Sequence, residues 1–118
     1  MSPRKRKRKP PLEEAERIWI KKFYEAAGCI VVNYSQAQKA QQTAGIPDLQ
    51  IFVPRLGVWW YHEVKRQQGE EFYALQHGQS EGQVWFEKLC DDFGIEYLLG
   101  ARQVAIEKLV DLGLVVSS

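Results

Sequence analysis

Between residues 12 and 27, apolar side chains recur at steps of three and four: Leu12, Ala15, Trp19, Phe23 and Ala26. That period is one face of an amphipathic helix of about four turns. Acids crowd its start and Gly28 stands at its end, as helix termini favour. Residues 29–34 are rich in β-formers and predict a first strand. Two further apolar runs, 49–53 and 58–61, are parted by Pro54-Arg55-Leu56-Gly57, which predicts an antiparallel hairpin with a four-residue loop. Ser80-Glu81-Gly82-Gln83 has the form of a capping box and opens a helix that carries Phe86, Leu89, Cys90 and Phe93 on one stripe and stops at Gly94. Residues 95–99 predict a strand beside the hairpin, and 101–112, with Val104, Ile106, Leu109 and Val110, a closing helix. Trp59, Trp60 and Trp85 are expected as core and interface residues, since their elements need buried faces.

The hairpin register brings chemistry with it. If Val53 faces Val58, equal steps away from the loop bring Asp48 opposite Glu63. Directly opposed residues have Cβ atoms about 4.5–5.5 Å apart, where like charges repel. A hard divalent cation offsets that repulsion, because Mg²⁺ takes oxygens from one or two carboxylates together with phosphate. Side chains alternate along a strand, so Glu63 and Lys65 share a face while His62 and Val64 point the other way. Two acids and a lysine therefore converge, and His62 makes a poor ligand. Pro47 suits a strand start, and Gly45 allows a close backbone approach just before it. A purely structural ion cluster is the bland alternative, but such a cluster costs desolvation without a ligand to offset it.

Gly45-x-Pro47-Asp48, followed by Glu63-Val64-Lys65 and then Gln83 within a helix, resembles the virus-type replication-repair nuclease (VRR-NUC) family of the PD-(D/E)xK superfamily, over about residues 13–99. The resemblance implies an α/β, restriction-endonuclease-like core of αβββαβ order, a small mixed sheet flanked by helices, with a further C-terminal helix. It implies Asp48, Glu63, Lys65 and Gln83 as catalytic residues. A metal site would draw on Asp48, Glu63, the Val64 carbonyl and, through water, Glu14, holding Mg²⁺ with Mn²⁺ able to substitute. Glu14 has a second reading as a complement to the helix dipole, shared with Glu13 and Glu16. Gln83 has one as the capping partner of Ser80, and both roles can hold together. The implied activity is hydrolysis of phosphodiester bonds in branched DNA such as Holliday junctions, by a homodimer. A non-cleaving accessory module on the same scaffold is the competing expectation.

Length fits one domain at 12–118 behind a flexible basic tail at 1–11. The net charge of +1 conceals a division, because Arg4, Lys5, Arg6, Lys7, Arg8 and Lys9 leave a body of about −5. Such an arm suits salt-dependent contact with phosphates; a solubilising or nuclear-targeting role is the alternative. The polar connection 35–44 offers Gln36, Lys39, Gln41 and Gln42 to phosphates or base edges, or simply to solvent. A second connection, 66–79, leaves from Lys65 and borders the proposed site; its His77 reads either as a general base or as polar surface. No apolar run approaches the ~20 residues of a membrane span, and no signal peptide is visible, so a cytoplasmic protein is expected. Cys29 and Cys90, in apolar settings and without metal-like spacing, read as core thiols.

Overall fold

The structure is a computed structural model that describes residues 12–36, 45–65 and 81–116. Helix α1 (Leu12–Ala26) leads into strand β1 (Ile30–Asn33) and a short 3₁₀ turn (Tyr34–Gln36). Strands β2 (Leu49–Val53) and β3 (Val58–Val64) follow, then helix α2 (Glu81–Asp92), strand β4 (Tyr97–Gly100) and helix α3 (Arg102–Asp111). The four strands lie in the order β1-β2-β3-β4. The first two pairings are antiparallel and β3 with β4 is parallel, so the sheet is mixed, as expected.

The hairpin register is the predicted one, with Val53 on Val58 and Leu49 on His62. Its loop closes through the Gly57 amide, which donates to Val53 O over 2.9 Å. Gly57 sits at φ +68°, a left-handed conformation that costs glycine nothing.

One sheet face carries Leu49, Ile51, Val53, Trp60 and Val64 into a core closed by Ile20 and Tyr24 of α1 and by Ala105 and Leu109 of α3. Fully burying a side chain of this size contributes about 1.5–3 kcal/mol, so this layer dominates the stability of the fold. The buried line on α1 is Glu16, Ile20 and Tyr24, one helical row away from the stripe read in the sequence. Trp19 and Phe23 flank that line and stack at 5.1 Å, while Ala15 and Ala26 are exposed. The shift follows from polar partners that neighbouring residues in the chain do not announce. Glu16 accepts the Arg102 backbone N–H, Nε and Nη2 at 2.8, 2.9 and 3.0 Å, and Tyr24 reaches His62. The Arg102 hydrogen bonds hold the Glu16 carboxyl below its usual range despite its burial.

On the opposite face α2 packs over β3 and β4, with Phe86 edge-on to Tyr61 at 5.3 Å. Its stripe is corrected at one end: Cys90 is buried, but Phe93 is 73% exposed, lying past the helix in the turn to Gly94. The tryptophans divide as well. Trp60 is buried in the core, whereas Trp59 is 37% and Trp85 53% exposed, because α2 covers only the β3–β4 half of this face. Cys29 and Cys90 are buried free thiols, and burial pushes both upward from the ordinary thiol range. Among the described residues no helix is long and apolar enough to cross a membrane.

Candidate active site

The C-terminal end of β3 brings three elements together. Glu63 points from β3 toward α2 and is 98% buried. Its Oε2 accepts a hydrogen bond from Gln83 Nε2 in the first turn of α2, over 2.8 Å. Lys65 Nζ lies 3.6 Å from the same oxygen. Asp48 precedes β2, one step beyond the Leu49–His62 pair, and its Oδ2 accepts the Val64 amide at 3.1 Å. Asp48 O takes the Tyr34 amide at 2.8 Å, which ties the acid to the end of β1. The structure thus brings together Asp48, Glu63, Lys65 and Gln83, four residues that the sequence singled out.

Electrostatically the centre of this group is Glu63. Burial pushes its carboxyl up to about 8. The Asp48 charge and, more weakly, Glu13 add to the rise; Lys65 and a backbone hydrogen bond from Asp48 oppose it. Glu63 Oε1 is buried and has no hydrogen-bond partner among the described residues. An orphaned carboxylate oxygen costs stability unless something positive or protic meets it. A divalent cation would meet that need, with Asp48, whose charge acts on Glu63, as its second carboxylate. Among the described residues no three His, Cys, Asp or Glu side chains group as metal ligands. Such an ion would therefore rest on two acids and the Val64 carbonyl, leaving positions for water and phosphate in the manner of Mg²⁺.

The helix acids sort differently from the expectation. Glu13, not Glu14, approaches the site, with Oε2 3.9 Å from Lys65 Nζ. Glu14 lines a separate groove with Arg17, Lys21 and Asn33. Glu16 belongs to Arg102. Helical rotation turns Glu14 about 100° away from Glu13, whereas Glu16 shares the Glu13 face one turn on and is taken up by Arg102. Ser80, His77, Lys39, Gln41, Gln42 and the basic arm (Arg4, Lys5, Arg6, Lys7, Arg8 and Lys9) lie outside the described residues, as does the Gln36 side chain. The capping box therefore shows only its Gln83 half, and that side chain is turned to Glu63.

Behind the site, on the core face, runs a chain of buried polar groups that the sequence did not suggest. Trp60 Nε1 donates to Tyr24 OH at 3.3 Å. Tyr24 OH and His62 Nδ1 lie 2.8 Å apart, and His62 Nε2 lies 3.0 Å from Gly100 O. Burial drives His62 down to about 4. The neutral ring thus donates from Nε2 to the carbonyl and accepts the Tyr24 hydroxyl at Nδ1. Gly100 O also accepts the Lys65 amide at 3.1 Å, so this chain pins the backbone from which Lys65 projects.

A solved structure described as a VRR_NUC domain matches this chain with a TM-score of 0.59, covering 86% of this chain and 97% of its own at 23% sequence identity. No family model and no curated protein sequence matches. The likeness bears out the fold expected from the motifs: a restriction-endonuclease-like VRR-NUC fold, with a four-stranded mixed sheet between helices.

Proposed function

We propose, with the VRR-NUC fold as premise, that the protein is a Mg²⁺-dependent, structure-specific endodeoxyribonuclease acting on branched DNA such as four-way junctions. The observation that carries this reading is Glu63: a buried carboxylate with one oxygen held by Gln83, the other without a partner among the described residues, and Asp48 and Lys65 beside it. Asp48, Glu63 and the Val64 carbonyl would hold the ion, with Mn²⁺ able to substitute. When bound, such an ion acidifies a water and stabilises charge on the phosphate under attack. Gln83 fixes Glu63 Oε2 and so decides which oxygen remains for ligation. Lys65 projects over the same carboxylate, where it can orient the attacking water and add positive charge at the scissile phosphate. Burial around Glu63 strengthens each of these interactions by lowering the local dielectric.

The branched substrate follows from the family resemblance. A homodimer would pair two such sites across a two-fold axis, suiting paired incisions in a symmetric substrate. The test is Mg²⁺-supplemented cleavage of a labelled panel of branched and linear DNAs by the protein and by Asp48→Ala. Cleavage of junctions that is lost in the variant supports the reading. Binding to the panel without metal-dependent cleavage favours the accessory-module alternative, on whose side stands the lack of a third acidic or histidine ligand among the described residues.

A further inference from the structure

Gly45 and Gly82 meet backbone to backbone beside the candidate site. Gly45 has φ +86°, a conformation that L side chains rarely adopt. A Cβ placed on it would collide with the Gly82 carbonyl group and stand 2.8 Å from Gln83 N. No flexible side chain takes part in this contact. Both partners are main chain, and the Gly82 side of it lies in the first turn of α2, so a methyl group at position 45 could be accommodated only by moving that turn. The contact stands one residue from Gln83 and three from Asp48. Pro47, between Gly45 and Asp48, is fully buried and cannot give way. A turn later in α2, Phe86 rests on Tyr61, which anchors the helix further along and makes its first turn the part free to tilt.

We propose that the Gly45–Gly82 contact is a joint that positions Gln83, setting its reach onto Glu63 and thereby which oxygen of that carboxylate stays open. Gly45 and Gly82 are positioning residues in this scheme, acting on Glu63 only through the Gln83 carboxamide. Without the close approach, Nε2 withdraws from Oε2, and Glu63 is freed to rotate in its buried setting. The consequence for catalysis rests on the nuclease reading above; the consequence for the Gln83 side chain does not.

The test compares Gly45→Ala, Gly45→Asn, Gln83→Ala and the double variant Gly45→Ala/Gln83→Ala with the unaltered protein. Asn tolerates positive φ yet still carries a Cβ, so it separates the contact from backbone strain. The first readout is NMR of the Gln83 carboxamide in metal-free protein. Its shifts and hydrogen exchange should move to solvent-exposed values in both position-45 variants, with the core resonances unchanged. The second is Mg²⁺-dependent cleavage. A displacement of the order of 1 Å can cost about 100-fold, so each single variant should lose about that much, and the double variant no more than Gln83→Ala alone. An unchanged Gln83 carboxamide in Gly45→Ala overturns the joint, as does a loss of activity that multiplies in the double variant. Global unfolding of Gly45→Ala overturns it too, because the methyl should move one helical turn and leave the core intact. If the unaltered protein cuts no DNA, the nuclease reading fails while the carboxamide measurement still decides the joint.

Discussion

Lys65 Nζ stands 3.6 Å from Glu63 Oε2 while its backbone N–H is fixed to Gly100 O, so the charge is held over the carboxylate by the sheet itself. Replacing the side chain leaves the backbone bond in place. Lys65→Ala should therefore fold, keep its thermal midpoint within a few degrees, and bind DNA. Cleavage should fall by about 100- to 1,000-fold, the usual cost of removing one group that stabilises developing charge. Single-turnover cleavage beside an equilibrium binding assay separates the two effects. Activity within tenfold of the original would remove Lys65 from the chemistry.

Glu63 supplies a pH prediction whose sign is fixed by its burial. Its carboxyl is raised from 4.5 to about 8, so the neutral form is favoured in the folded protein. The corresponding stability is fully present below pH 4.5 and is lost as pH rises through 8. A cation must displace that proton. Thermal stabilisation by Mg²⁺ should accordingly be larger at pH 8 than at pH 6, and Glu63→Gln should abolish it at both. A metal-induced shift of equal size at the two pH values would contradict a cation on Glu63.

Much of this was legible beforehand because it depends on neighbours in the chain. Pro54 to Gly57 fixed the hairpin loop, the loop fixed Val53 on Val58, and that register aligned Asp48 with Glu63. Alternation then put His62 on the far side from Glu63. The remainder lay in long-range partners. Glu16 is buried because Arg102, 86 residues away, meets it with three donors. Without that knowledge, an acid on a helix reads as surface. Tyr24 gave no sign of its bond to His62 across the core. Trp85 was expected as a core or interface residue and Phe93 as the last of a helical stripe, yet α2 spans only half the sheet and ends before Phe93, and stripe periodicity reports neither how far a helix covers what lies beneath it nor where it stops. The meeting of Gly45 and Gly82 had only half a signal, a glycine before Pro47.

The Trp60–Tyr24–His62–Gly100 chain should set the acid limit of stability. His62 is depressed from 6.5 to about 4, so its neutral form contributes stability above pH 6.5 that is lost as pH falls toward 4. A shift of that size corresponds to about 3 kcal/mol. Tyr24→Phe removes the hydroxyl from both Trp60 Nε1 and His62 Nδ1 and should cost about 1–3 kcal/mol by leaving buried polar atoms unmet. Urea unfolding between pH 4 and 8 measures both. A flat profile below pH 6.5 would mean that His62 is not held neutral.

The half-open sheet face gives the proposed homodimer a location to test. Phe52, Trp59, Tyr61, Phe86 and Trp85 form a continuous series of rings with neighbouring centroids 5.3–6.3 Å apart, on the same side of the sheet as Glu63. Ile30 and Val32 extend it onto β1. The patch carries no charge, which disfavours phosphate and suits a second copy of a chain whose body is acidic. A stable interface needs about 800 Å² from each partner, so these rings would form its centre within a polar rim. Trp85→Lys should therefore shift the protein to monomer in sedimentation experiments without lowering its thermal midpoint by more than a few degrees. A dimer that persists in this variant would have to be built on another surface.

The six cations of residues 4–9 are numerous enough to set how binding responds to salt. Each phosphate they neutralise releases condensed counterions and adds about 0.9 to the magnitude of the slope of log affinity against log salt for duplex DNA. Deleting residues 1–9 should flatten that slope by several units and weaken binding most strongly at low salt. The single-turnover rate at saturating DNA should stay within about twofold, because the groups described around Glu63 are Glu13, Asp48, Lys65 and Gln83, all later in the chain. Fluorescence anisotropy across a salt series measures the slope, and quenched-flow cleavage measures the rate. A slope unchanged by the deletion would mean that the cations do not touch the backbone, and DNA affinity would then have to come from the acidic body, where Lys65 is the one cation beside Glu63 among the described residues.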